Sequence, residues 1–195
     1  GHVDDYRDKG GEYHMRPQCF RNTGGGRFVE VAPGQAGDYF EHKYLGRGLA
    51  RLDWNRDGRM DFVVSNIGAP ASLVTNQTDD AGHFLNVRLH ATLTARDTIG
   101  AIVEVVAGKR RWTKQLVAGD GYMASNERVL QFGLADSLSV AEVRINWPSG
   151  QSTMLQNVPV DVTIELVEGA RRATLRRGME SETLEVAPVG FAVQP

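Results

Sequence analysis

Gly48-Leu49-Ala50-Arg51-Leu52-Asp53-Trp54-Asn55-Arg56-Asp57-Gly58-Arg59-Met60-Asp61-Phe62-Val63-Val64 is two short apolar bursts separated by an acidic bend. The bend sets oxygen-bearing side chains at positions 1, 3, 5 and 9: Asp53, Asn55, Asp57 and Asp61. Calcium takes roughly six to eight hard oxygen ligands at about 2.3–2.6 Å. Alternate side chains meet at one point when the backbone curls around such an ion. Gly58, at position 6, permits the sharp turn that lets the Arg59 carbonyl point inward as a further ligand. An EF-hand requires a helix on each side and a bidentate Glu at position 12. Position 12 here is Val64, and both flanks read as strands. The expectation is a strand–loop–strand Ca2+ site with Asp53, Asn55, Asp57, Asp61 and the Arg59 carbonyl as ligands. The side chains of Arg56 and Arg59 are expected to point outward, partly offsetting the acidic charge. Asp, Asn and Gly also favour turns that bind nothing. Three carboxylates crowded without a cation repel one another, which favours the metal. No nucleophile or base adjoins the bend, so its role is read as structural.

The same strand signature repeats outward from the bend. Phe84 to Leu89, Ala101 to Val106, Arg128 to Phe132, Glu142 to Trp147 and Val160 to Val167 are short runs rich in Val, Ile and aromatics. Turn residues separate them at hairpin distances, and no stretch has convincing 3.6-residue periodicity. The class is all-β. Residues 1–80 are rich in Gly, Asn and Asp and hold few long strands. Residues 83–169 hold about seven regular strands, the number that suits a β-sandwich. Residues 170–195 read as an extended tail: arginine pairs, an acidic run, and no clear apolar face except Phe191. The arginines there read as a solvated terminus.

Composition bounds the function. The chain has 195 residues, of which 41% are apolar, enough for one good core or two small ones. A net charge of -2 gives no support for a nucleic-acid partner. Cys19 is the sole cysteine, which excludes an intrachain disulfide and a cysteine-rich zinc site. No apolar run reaches the roughly eighteen residues of a transmembrane helix.

Other motifs carry less. The five histidines have no i, i+4 pairing, so zinc or catalytic roles are not favoured. Gly119-Asp120-Gly121 lacks the third glycine of a dinucleotide turn, and Gly24-Gly25-Gly26 reads as a hairpin turn. There is no Gly-x-Ser-x-Gly elbow. Trp54, Trp112 and Trp147 read as packing residues in preference to a sugar platform.

Two resemblances gather these observations. Gln18-Cys19-Phe20-Arg21-Asn22, Gly25-Gly26-Arg27-Phe28-Val29-Glu30-Val31, the acidic bend and Phe62-Val63-Val64-Ser65-Asn66 resemble an FG-GAP/VCBS-type propeller blade. That resemblance implies calcium on Asp53, Asn55, Asp57 and Asp61, with Arg59 through its carbonyl. Asn55 stands where many members carry Asp, which implies a lower affinity. Ile99-Gly100-Ala101, Gly119-Asp120-Gly121-Tyr122, Gln131-Phe132-Gly133-Leu134 and Trp147-Pro148-Ser149-Gly150 resemble, in order, the ASPIC/UnbV domain of cartilage-acidic-protein-like chains. The expected organisation is a blade segment over 1–80, an ASPIC/UnbV sandwich over 83–169 and the tail. The resemblance further implies a C-terminal fragment of a larger, exported or cell-surface protein whose other blades precede Gly1-His2-Val3. An isolated blade must cover its strand edges, on the sandwich, the tail or a second copy.

The function expected is a calcium-stabilised interaction module with a protein or polysaccharide partner. Catalysis, with Asp120, Tyr122 and His42 as candidate groups, and a purely structural propeller cap are the alternatives.

Overall fold

A computed structural model describes residue 8 and residues 10–187. The opening Gly1-His2-Val3 and Phe191 lie outside the described residues. Among the described residues the regular secondary structure is nearly all β-strand, as the pattern of short β-branched runs predicts. The chain divides into two compact units. Among the described residues, one comprises those up to 52 with 61–75 and 121–125; the other comprises 53–60, 76–120 and those from 126 to 187.

The first unit begins with a hairpin, β1 (Cys19–Gly24) and β2 (Arg27–Val31). Its turn is the expected glycine triplet: Gly24, Gly25 and Gly26 have φ of 85, 59 and 73°. A residue with a Cβ is strained there. A helical turn, α1 (Pro33–Ala36), and a 3-10 turn over Asp38–Glu41 follow. A three-stranded sheet then runs in the order β3 (Gly46–Leu52), β4 (Asp61–Asn66), β5 (Ser72–Val74). The two apolar bursts around the acidic bend are thus β3 and β4, paired antiparallel and closed by Leu52 opposite Asp61. Tyr39 stacks on Tyr44 at 4.6 Å between ring centroids, and Tyr39 and Phe40 both meet Phe62 edge-on.

The second unit is a sandwich. One sheet has the order β11 (Ser152–Pro159), β10 (Ser139–Asn146), β7 (Ile102–Ala107), β8 (Arg110–Gln115). The other has the order β14 (Glu180–Glu185), β13 (Arg172–Arg177), β12 (Val162–Val167), β6 (His83–His90), β9 (Leu130–Ala135). Alternation places one side of each strand inward: Val103 and Val105 on β7, Val143 and Ile145 on β10, Ile164 and Leu166 on β12. These join Leu85, Val87, Phe132 and Leu155 in one core. Successive side chains on a strand face opposite ways, so period-two sequences fold with a single dry face. β6 and β12 run parallel, Leu85 opposite Val162 and Leu89 opposite Leu166, while the other strand pairs are antiparallel. None of the sheets closes on itself.

The stretch expected as a tail departs from the reading. Residues 172–185 fold into the β13–β14 hairpin, which extends the five-stranded sheet from β12. Ala173 and Leu175 are buried in the core. The alternation Arg172-Ala173-Thr174-Leu175-Arg176 carries it: small or apolar side chains face in and arginines face out. The arginines are engaged rather than merely solvated. Arg172 meets Glu185 at 2.6 Å and Arg176 meets Glu165 at 2.7 Å across the ladder.

Among the described residues no helix is long and apolar enough to cross a membrane.

Candidate functional site

The acidic bend belongs with the sandwich unit over residues 53–60, and Asp61 opens β4 in the other unit. Within the bend the side-chain oxygens hold the backbone. Asp53 is 3% exposed. Its Oδ1 accepts the Asp57 amide at 3.1 Å and its Oδ2 accepts the Gly58 amide at 2.9 Å. The Asn55 Oδ1 accepts from the Asp57 amide at 3.3 Å, and its Nδ2 donates to Asp57 Oδ2 at 2.8 Å. Arg56 takes a positive φ of 59° and Gly58 one of 83°. These two left-handed residues let the chain double back, which is the turn expected of position 6. Asp61 is fully buried.

The arginines of the bend do not simply point outward, as the sequence reading had them. Arg59 folds back on Asp57: its Nη2 lies 2.7 Å and its Nε 3.1 Å from Oδ2, and its own amide donates to Oδ1 at 2.8 Å. Burial pushes the Asp57 carboxyl up, and the Arg59 amide, the Arg59 guanidinium and the Asn55 amide outweigh it, so its pKa falls below the ordinary value. Arg56 donates to Glu127 Oε1 at 2.7 Å, and Arg88 donates to the same oxygen at 2.6 Å. The Asp53 amide donates to Glu127 Oε2 at 3.4 Å. Glu127 is therefore a clamp on the bend that sequence reasoning missed. Its only local signal is a lone acid in the polar stretch before β9. Gln131 adds a second clamp by donating to the Gly58 carbonyl.

The donor set is all hard oxygen, three carboxylates and an amide, and its chemistry fits calcium. Among the described residues no three His, Cys, Asp or Glu stand as a ready metal cage. The Asp53 and Asp57 oxygens are directed at N–H groups and at Arg59. The Arg59 guanidinium and the Asn55 amide take Asp57 Oδ2, and the Arg59 backbone amide takes Oδ1.

The weaker sequence candidates have local partners. His42 lies 3.4 Å from Asp38 on the surface. Asp120 accepts from Asn126, and Tyr122 is exposed. Trp147 is buried with its Nε1 donating to Thr153 Oγ1 at 2.8 Å, and Trp112 packs against the core. Both fit the packing role read for them. Trp54 is half-exposed.

A family model described as ASPIC and UnbV matches residues 91–173. The chain carries an ASPIC/UnbV domain. The match begins just after β6 and runs into β13, so it covers most of the sandwich. Cartilage acidic protein 1 of Xenopus tropicalis is 42% identical over 55 residues, 28% of this chain and 8% of the relative. The Mus musculus and Homo sapiens proteins of the same name are each 36% identical over 78 residues, 40% of this chain and 10% of theirs. The chain thus matches only about a tenth of the length of these curated relatives.

Proposed function

We propose that the chain is a calcium-stabilised extracellular interaction module, part of a larger propeller protein, with its metal in the bend Asp53–Asp61. One observation carries this reading. Oxygen side chains recur at positions 1, 3, 5 and 9 of a tight bend between paired strands, and two of the carboxylates, Asp53 and Asp61, are buried. Asp53 already accepts the Asp57 and Gly58 amides, so an ion would add to donors in place, and what favours it is the crowding of three carboxylates in one bend. Asp53, Asn55, Asp57 and Asp61 would hold the ion through side chains and Arg59 through its carbonyl. Bound calcium would neutralise the acids and tie β3 to β4. β1 to β5 are read as blade strands that other strands of the parent protein complete. The likeness to cartilage acidic protein 1 supports an extracellular setting. A protein or a polysaccharide is the partner such a module would take.

Thermal unfolding of the chain with calcium and with a chelator tests the reading. A ligand that binds only the folded state at a hundred times its Kd stabilises by about 2.7 kcal/mol. For a chain of this size that is several degrees in Tm. Asp57→Ala should abolish the calcium-dependent shift, and its chelated Tm should fall by what the lost bonds to Arg59 and Asn55 contribute. No shift at calcium on the order of 10 mM, well above the span of extracellular sites, would overturn the metal.

A further inference from the structure

The sandwich unit contains a cleft of about 560 Å³ that borders the acidic bend at Arg56 and Asp57 and extends from there over β12 and β13. Four arginines line it: Arg56 from the bend, Arg88 on β6, and Arg176 and Arg177 at the end of β13. Arg56 and Arg88 share a single carboxylate, Glu127. Arg176 pairs with Glu165 at 2.7 Å. Arg177 is held differently. It donates to the backbone carbonyls of Val160 at 3.0 Å and Asp161 at 3.4 Å, and it has no carboxylate partner among the described residues. Those carbonyls fix the direction of a guanidinium whose charge is unmatched.

The other wall groups narrow the ligand. Asp57, Asp161 and Glu165 place acceptors among the arginines, Thr163 adds a hydroxyl, and Phe84 adds an aromatic ring. Asp161 is steadied by His83 at 2.7 Å and by the Phe84 amide at 3.1 Å. A polyanion such as an acidic peptide or bare phosphate suits arginines alone, and its charges would be repelled by Asp161 and Glu165. A uronate suits the whole set. Its carboxylate takes a guanidinium fork, its hydroxyls donate to carboxylates, and its apolar ring face covers an aromatic edge. The volume lies in the range of small-ligand sites.

We propose that this cleft binds an acidic, uronate-bearing saccharide, with Arg177 engaging the sugar carboxylate. The proposal rests on the reading of the chain as an interaction module and names its partner class. The cleft shares Arg56 and Asp57 with the acidic bend but does not need calcium to be bound there.

Calorimetric titration of the full chain with a uronate tetrasaccharide tests it, in calcium and again in chelator. The comparison ligands are the methyl-esterified tetrasaccharide, inorganic sulfate and a tetraglutamate peptide. The expected result is salt-sensitive binding of the uronate in at least one buffer, with the ester, sulfate and peptide each weaker. Arg177→Gln should weaken uronate binding roughly tenfold or more, the scale of one lost charge-assisted hydrogen-bond pair. Its Tm should stay near that of the parent, and Arg177→Lys should recover part of the affinity. Absence of uronate binding in both buffers overturns the proposal. So does full affinity in folded Arg177→Gln, or peptide binding as tight as that of the saccharide. Failure of the calcium loop is read separately, by a Tm that calcium does not move.

Discussion

Gly58 faces the ring of Phe84 so closely that a Cβ at position 58 would fall inside the ring's own volume. Gly58 also holds φ at 83°. Its lack of a side chain therefore serves two ends, the turn of the acidic bend and the seating of that bend on β6. The left-handed conformation costs a residue with a Cβ roughly 1–2 kcal/mol, and overpacking costs about 1–3 kcal/mol more. Gly58→Ala should lower stability by about 2 kcal/mol or more, read as a drop in the denaturant midpoint. Adding Phe84→Leu should return part of the loss, because the two residues compete for one volume. Equal loss in the single and double variants would leave only the backbone strain.

Glu168 gives the sandwich an acid-sensitive joint. It is buried, and its Oε2 accepts the amides of Thr92 and Leu93, each at 3.0 Å, while Oε1 takes the Ser149 hydroxyl. The carboxylate thereby ties the loop after β6 to the turn between β10 and β11. Burial pushes its pKa up, and the Ser149 hydroxyl and the two amides more than reverse that, leaving it below the ordinary 4.5. A depressed carboxylate stabilises the fold fully above its unfolded pKa and loses that contribution as pH falls through the folded value. Melting curves from pH 7 downward should therefore begin to lose Tm below about 4.5. Glu168→Gln should flatten part of that loss. At pH 7 the variant should be about 1–3 kcal/mol less stable, since the carboxamide meets two amide donors with one oxygen and one N–H group.

The β13–β14 hairpin should behave as core, not as a tail. Leu175→Ala should cost about 2–5 kcal/mol, the range for a buried leucine. Ending the chain at Ala170 should expose the ladder edge of β12, along with the apolar face that Ala173 and Leu175 cover. An unpaired strand with that composition is a template for association. The shortened chain should elute as larger species in size-exclusion chromatography and melt earlier. A truncated chain that stays monomeric with the parent Tm would return these residues to the role of a tail.

How far the sequence was legible follows from what each residue does locally. β7 and β12 could be read because β-branched residues alternate with polar ones and both signals agree. β13 could not, because its two inward residues are Ala173 and Leu175, between arginine pairs that mimic a solvated terminus. β8 has only Trp112 half-buried among Arg110, Arg111, Thr113, Lys114 and Gln115, so it lacks an apolar face to read. The bend could be placed between strands because Leu52 and Phe62 bracket it. Its tethers could not be foreseen: Glu127 and Gln131 reach it across more than seventy residues of chain. Arg177 belongs to the same class, since its cleft exists only once β13 has joined β12.

Glu127 should stabilise the bend unequally through its two arginines. Arg88 lies 2.6 Å away with a side chain 26% exposed, and Arg56 lies 2.7 Å away at 57% exposed. Distance does not separate the pairs, but solvent does. The exposed pair is screened and should be worth a few tenths of a kcal/mol. The more buried pair keeps more of its attraction and should be worth about 1 kcal/mol. Double-mutant cycles with Glu127→Gln against Arg88→Met and Arg56→Met measure the two coupling energies. The Arg88 coupling should exceed the Arg56 coupling, and added salt should erode the second before the first. Equal couplings at low salt, or a larger one for Arg56, would mean that Glu127 acts mainly through the bend and not through β6.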